Sequence, residues 1–219
     1  MNFDWSIVWR SWAALLQGVE VTVLLAVATM AIAIPGGLVL ALARMSSLRP
    51  LSAASACFVE FFRNIPLILL IYWAYYVMPV AIGVEFSAFT TGLVALSLNV
   101  SAYNAETFRS GIGSIRKGQT EAAQALGMSR FQVLWEIVLP QAIRRVTPVL
   151  ASTWVSLFKD TSLVSVIGVA ELSYVSMQIR SQSFRILEML TAMAVLYWLL
   201  GYPQAKLVDW INRTYGVTE

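Results

Sequence analysis

Lys159 and Asp160 stand side by side in VSLFKDTSLVSVIGVAEL, residues 155–172, a stretch with no other charge before Glu171. An ionisable side chain in hydrocarbon is costly, so such residues usually face a water-filled cavity and mark a pathway. Thr161 and Ser162 add two hydroxyls directly after the pair. The other reading is a loop at a membrane surface, and topology must separate the two. Glu60 with Arg63, and Glu106 with Arg109, have the i, i+3 spacing of ion pairs on a helix surface. Lining of a cavity is the alternative for Glu60 and Glu106. Chemistry that needs an imidazole is excluded, because the chain has no histidine, and its single cysteine, Cys57, cannot form an intrachain disulfide. No metal-ligating cluster and no nucleophile beside a base stands out, so the chain is not expected to be an enzyme; a carboxylate-only mechanism is the weaker alternative. GSIRKGQT, residues 113–120, nearly matches the phosphate-cradling G-x-x-x-x-G-K-[ST]. It has Gln119 where the lysine must be, and no strand precedes it, so it holds no nucleotide.

These residues need a scaffold, and composition names its solvent. Of 219 residues, 58% are hydrophobic and 12% charged, against about 25% charged in soluble domains. This is an all-α integral membrane protein. Crossing a bilayer takes about 20 apolar helical residues. Runs of that size are Val21–Ala43, Phe58–Ile82, Phe86–Ala105 and Met189–Leu207. Val146–Phe158 is too short alone and reaches spanning length when extended back through Leu139 and on to Lys159–Asp160, giving five transmembrane helices. Asn99 and Asn104, in or near the third span, are placed to bond a neighbouring helix. Residues 1–17, with Trp5, Trp9 and Trp12 among helically spaced apolar side chains, suit a helix lying in the bilayer interface. Packing against a partner is the alternative for that helix.

The net charge of +3 is arranged by side. With five spans, Arg44, Arg49, Arg63, Arg109, Arg116, Lys117, Arg130, Arg144, Arg145, Lys206 and Arg213 all fall on one face. Basic residues favour the cytoplasmic loops, so the N-terminus is outside and the C-terminus inside. A loop bias of this kind explains the basic balance without nucleic acid as a partner. LVSVIGVAEL, residues 163–172, is too short to cross again, and re-enters or lies along the outer leaflet.

The polar block at 108–145 is too rich in helix formers to be a linker. Gln119–Leu126 reads as helix and Gly127 as its left-handed stop. Ser129 then caps an amphipathic helix, Arg130–Leu139, that ends before Pro140. Within the block, EAAQALG (121–127) is followed by Ile137 and Leu139–Pro140 in the spacing EAA-x3-G-x9-I-x-LP. This resembles the cytoplasmic loop of permease subunits in bacterial ABC importers. FFRNIPL (61–67), YNAETFRSGIGSIRKGQTEAAQALGMS (103–129) and FKDTSLVSVIGVAEL (158–172) resemble the subfamily that imports polar amino acids, of the histidine, glutamate, glutamine, arginine or opine type.

The resemblance implies a type I ABC importer permease: an N-terminal interfacial helix at 1–17 and a transmembrane domain at 18–219, with a cytoplasmic coupling segment at 108–145. In that role Glu121, Ala122, Ala123 and Gly127 belong to a coupling helix docked on a separate ATPase subunit, small alanines allowing close approach and the glutamate offering a charge. Lys159, Asp160, Thr161 and Ser162, with Glu60 and Glu106, would line the substrate pathway. A zwitterionic amino acid needs a cation for its carboxylate and an anion for its ammonium, and the Lys159–Asp160 pair supplies both or pairs with itself. The implied partners are an ABC ATPase dimer, a second permease subunit, identical or homologous, an extracytoplasmic solute-binding protein and membrane lipid. No cofactor is expected in this chain, ATP and magnesium being bound by the ATPase, and the implied location is the bacterial inner membrane. Opines or other amino-acid-like amines are the alternative cargo, and a passive pore or scaffold is the alternative class.

Overall fold

The computed structural model describes residues 3–215; residues 1 and 2 of the expected N-terminal helix and residues 216–219 lie outside that part. The described residues form helices α1 (Ser6–Arg10), α2 (Trp12–Arg44), α3 (Arg49–Asn64), α4 (Leu67–Tyr72), α5 (Met78–Ile82), α6 (Ala88–Gly113), α7 (Lys117–Ala125), α8 (Arg130–Gln132), α9 (Leu139–Asp160), α10 (Leu172–Ser183) and α11 (Ile186–Tyr215). Two π-type stretches, Trp73–Val77 and Val133–Val138, join α4 to α5 and α8 to α9, and a 3₁₀ stretch, Thr161–Ile167, follows α9.

By length and composition, α2 and α11 are apolar enough to cross a membrane alone. Two bent pairs raise the number to four: α3 with Leu67–Ile82, bent by 106°, and Arg130–Ile167 with α10, bent by 48°. The expected continuous span Phe58–Ile82 is therefore corrected. Pro66 has no amide hydrogen and disfavours a helical residue before it. Ile65 accordingly is extended (φ −89°, ψ 133°), and α3 ends at Asn64. The expected stop before Pro140 is also corrected: Val138 and Leu139 keep right-handed helical angles, and the chain runs as helix from Arg130 to Asp160. Pro140 has no N–H to give to that continuous helix, and the widened Val133–Val138 turn lies directly before it. The N-terminal helix is shorter than 1–17, because the offset at Ser11 hands Trp12–Gln17 to α2.

The centre of the bundle is α2 against α6. Gly36 and Gly37 let the backbones meet: a Cβ at Gly37 would stand 2.5 Å from Asn104 Cβ, and one at Gly36 would stand 2.7 Å from Ser101 Oγ. Small residues at such contacts are how membrane helices gain packing where lipid removes the hydrophobic drive. Asn104, fully buried, donates to the Ala33 carbonyl at 3.2 Å, just before Pro35 in α2, as the sequence led us to expect of a polar residue there. Around this seam, Leu25, Ile71, Leu96, Leu157 and Val164 close the main core.

A buried carboxylate organises the other end. Glu171 is fully buried and caps α10, its Oε1 accepting from Tyr174 N at 2.7 Å and its Oε2 from Ser173 N at 2.9 Å. Tyr197 Oη of α11 donates to Oε2 at 2.8 Å, and Thr22 Oγ1 of α2 accepts from Leu172 N at 3.1 Å. One side chain thus answers the orphan N–H groups of a helix start and ties α10 to α11, with Thr22 bringing in α2. At the N-terminal edge, Asp4 N donates to Glu188 Oε1 at 2.9 Å. Bonds from Ser6 hold the Asp4 carboxyl below the usual carboxylate range.

Two outcomes follow from this packing. Gly37→Val should destabilise the purified protein by about 1–3 kcal/mol, the usual range for overpacking, whereas Gly113→Ala, with open space around its Cβ position, should be neutral or slightly stabilising; thermal melting in detergent, followed by size exclusion, compares them. Glu171→Ala should cost about 2–4 kcal/mol, combining loss of a cap with an unsatisfied buried donor, and Glu171→Gln clearly less. Equal melting of the two Glu171 variants would show that the carboxylate's bonds do not hold α10.

Candidate functional site: a polar cavity at a broken helix

Ending α3 at Asn64 leaves its last carbonyls without intrahelical donors. Helix α6 supplies them: Asn99 Nδ2 donates to Phe62 O at 2.7 Å and Tyr103 Oη to Arg63 O at 3.3 Å. Asn64 folds its own amide back to Glu60 O at 2.7 Å. The break opens a cavity of about 600 Å³ between the end of α3, the middle of α6 and the second half of α9. Arg63, Asn64, Asn99, Tyr103, Thr153 and Asp160 are among its lining residues. Asp160 takes part in no ion pair among the described residues.

Lys159 does not share this cavity. It is exposed and lines a separate one, of about 580 Å³, with Phe158, Ser173, Tyr197 and Trp198. Consecutive residues on a helix point about 100° apart, so the expected Lys–Asp unit is divided between two cavities. Thr161 Oγ1 donates to Phe158 O at 2.8 Å, and Ser162 Oγ to Lys159 O at 2.7 Å. Both hydroxyls serve the last carbonyls of α9 where it tightens into 3₁₀ geometry. Thr161 is fully buried and lines neither cavity; Ser162 lines the cavity with Lys159.

Glu60 and Glu106 are joined by a residue that sequence spacing could not supply. Arg44, the last residue of α2, binds Glu106 through Nη1 and Glu60 through Nη2 at 3.2 Å. Arg109 adds a second bond to Glu106 at 2.7 Å, and Arg63 stands 4.0 Å from Glu60. The expected i, i+3 pairs are present, and Arg44 links them into one network across α2, α3 and α6. Glu106 and Arg109 line a third cavity, of about 500 Å³, with Ser114 and Arg145. Val149 lines both this cavity and the one at the α3 break, so the two adjoin across α9.

The coupling segment folds as helix, turn, helix. Gly127 has φ +84°, and Met128 N to Ala123 O (3.2 Å) with Gly127 N to Gln124 O (2.9 Å) completes a two-bond C-terminal cap. Ser129 and Gln132 cap each other at the start of α8. Glu121, Ala122 and Gly127 are exposed, but Ala123 is buried beneath α7 against Ile112, Ile115, Val133, Val138, Leu139 and Ala142. Its small side chain therefore lets α7 sit close to its own bundle. Leu126, 84% exposed, and Phe131, 69% exposed, flank the turn.

The cavity residues missed from sequence were Arg63, as a lining group, and Ser152, Thr153 and Ser156. A signal was available: Ser152 or Thr153, Ser156 and Asp160 recur at three- and four-residue intervals, a polar stripe in the second half of the helix. Asn64 and Arg44 carried no comparable signal, since their partners lie across the fold.

Residues 33–216 match the family described as binding-protein-dependent transport system inner membrane component. The chain is 34% identical to the probable amino-acid permease protein YxeN of Bacillus subtilis, over 97% of this chain and 96% of that one. It is 35% identical to the glutamine transport system permease protein GlnP of Escherichia coli, over 91% and 92%. A solved structure of an amino acid ABC transporter with histidines superposes with a TM-score of 0.90 at 31% identity, covering 98% of this chain and 100% of that one. The chain therefore belongs to the binding-protein-dependent inner membrane components, as a non-catalytic permease subunit of the ABC amino acid importers.

Proposed function

We propose that this permease carries polar amino acids inward by alternating access, along a path through the cavity at the α3 break. The observation that carries the reading is that cavity itself: a cation, an anion, two amides and a row of hydroxyls gathered where a span is interrupted, inside an apolar bundle. Discontinuous helices around a polar site are how transporters present backbone and side-chain groups to a solute. Relatives whose names specify glutamine, glutamate and aspartate, or cystine support an amino acid as cargo.

In this reading five spans cross the membrane, α6 being the fifth. At 26 residues it is about 39 Å long, enough to cross despite its polar inner face. Most of the basic residues, with Arg10, Lys159, Arg180 and Arg185 left for the other side, then lie toward the cytoplasm, with the N-terminus outside and the C-terminus inside. Glu121, Ala122 and Gly127, with the exposed Leu126, dock on an ATPase subunit that binds ATP and magnesium, while Ala123 fixes α7 to the spans. A second permease subunit completes the pathway, and an extracytoplasmic binding protein delivers the solute. Asp160 faces the solute, and Lys159, on another wall of α9, does not.

Co-expression with the genes beside it, purification through this chain and reconstitution in liposomes test the reading. An ATPase should copurify, and its turnover should rise with binding protein and one class of amino acid. Glu121→Ala combined with Gly127→Asp should lower stimulated turnover by at least about tenfold, or about 1.4 kcal/mol. If no ATPase follows the intact chain in mild detergent, a passive pore or scaffold replaces this reading.

A further inference from the structure

A further cavity lies behind α7, apart from the polar break in α3. It has a volume of about 400 Å³ and opens between the ends of α2 and α6, helix α7 and the helix that starts at Arg130. Met45, Ile112, Ile115, Leu134 and Val138 give it apolar walls, and its polar lining is Lys117, Thr120, Gln124 and Arg130. Lys117 and Arg130 are exposed and take part in no ion pair among the described residues; Glu121, one turn on from Lys117, does not reach it. Each cation is the first residue of its helix, where it meets the positive end of the macrodipole. Helix stabilisation therefore accounts for neither.

The level of the cavity indicates what the cations face. Helix α2 ends at Arg44 and α6 at Gly113, and Met45 and Gly113 line the cavity, so it sits where those spans leave the hydrocarbon. On the same helix as Arg130, the exposed Phe131 and Trp135 pack with ring centroids 5.8 Å apart. Tryptophan is favoured at headgroup level. Basic pockets between helices on the cytoplasmic side suit anionic headgroups, and here an apolar recess for a chain adjoins two unpaired cations.

We propose that this cavity binds an anionic phospholipid of the cytoplasmic leaflet, its headgroup held by Lys117 and Arg130 and an acyl chain lying against Ile112, Ile115 and Leu134. The inference rests on α2 and α6 as spans with these ends inside, and not on the solute path. A lipid seated there touches α6, α7 and the Arg130 helix at once, and braces α7 from behind.

The test reconstitutes the intact permease–ATPase complex in nanodiscs with equal amounts of phosphatidylglycerol and phosphatidylcholine of the same acyl chains, and follows retained lipid by native mass spectrometry. At the activation that strips phosphatidylcholine, phosphatidylglycerol should stay on the permease subunit. Lys117→Gln with Arg130→Gln should lower that retention by on the order of tenfold, the scale of two basic side chains at an anionic headgroup. Arg213→Gln, near the far end of α11, should leave it unchanged. Gly113→Phe keeps both cations and fills the cavity from a position with open space around its Cβ, and it should abolish retention as well. Undiminished retention in the double variant overturns the proposal; if that variant aggregates, Lys117→Gln alone decides in the same way. Retention that survives Gly113→Phe, or that millimolar inorganic phosphate displaces, assigns the cations to a soluble anion and overturns the lipid site. If the double variant folds but no longer holds the ATPase, the cations belong to that protein contact and the proposal falls. If no ATPase copurifies with the wild type, the transport reading fails separately, and the same lipid measurement on the purified permease decides this one.

Discussion

Pro66 has no amide hydrogen to give, and the polar cavity depends on that. A proline disfavours helical geometry in the residue before it, and here Ile65 is extended, so α3 stops and the chain turns by 106°. A helix end away from water is tolerated only if its carbonyls find donors. Asn99 and Tyr103 of α6 provide them. The two side chains that close the broken helix are also cavity walls, so stability and site share the same atoms.

The remaining contacts keep those atoms in register. The glycine seam brings α2 close enough to α6 for Arg44, at the α2 terminus, to reach Glu60 and Glu106 together. Arg44 and Glu106 are largely shielded, with side-chain exposures of 21% and 19%. Partial burial strengthens such pairs over their surface equivalents, which contribute little. At the opposite end Glu171 performs the corresponding service for α10, with backbone amides and a phenol rather than a cation as partners. Both devices place an ionisable side chain where three helices meet, and both satisfy it with several short bonds.

How much of this was legible in the sequence depends on the range of each interaction. Local signals were sufficient for α7, its left-handed stop at Gly127 and the cap at Ser129, because composition, glycine and capping residue act within a few positions. Asn99 and Asn104 could be read as interhelical bonders, since a buried amide in a span has few other uses. Pro66 and Pro140 could not be told apart by residue type. One ends a helix and the other begins a segment of one, and the difference lies in the turn that precedes each. Adjacency misled at Lys159 and Asp160, where neighbours in sequence look into different cavities. Arg44 is 62 residues from Glu106, a separation that no spacing rule covers.

The helix that passes through Pro140 has a mechanical meaning. From Arg130 to Asp160 the backbone stays helical, with the widened turn at Val133–Val138 directly before Pro140 and a second proline, Pro148, farther along. At about 1.5 Å per residue the rod is roughly 46 Å long. One end begins at the cap beside the Gly127 turn, and the other carries Asp160 into the polar cavity. Its hydrogen-bond ladder is interrupted at the widened turn and again at Pro148, inside the helix, so bending is confined to those two places and the stretch from Val149 to Asp160 moves as one piece. Val149, Thr153 and Asp160 lie along one wall of that rod, and a turn of its axis moves the floor and the anion of the cavity as one piece.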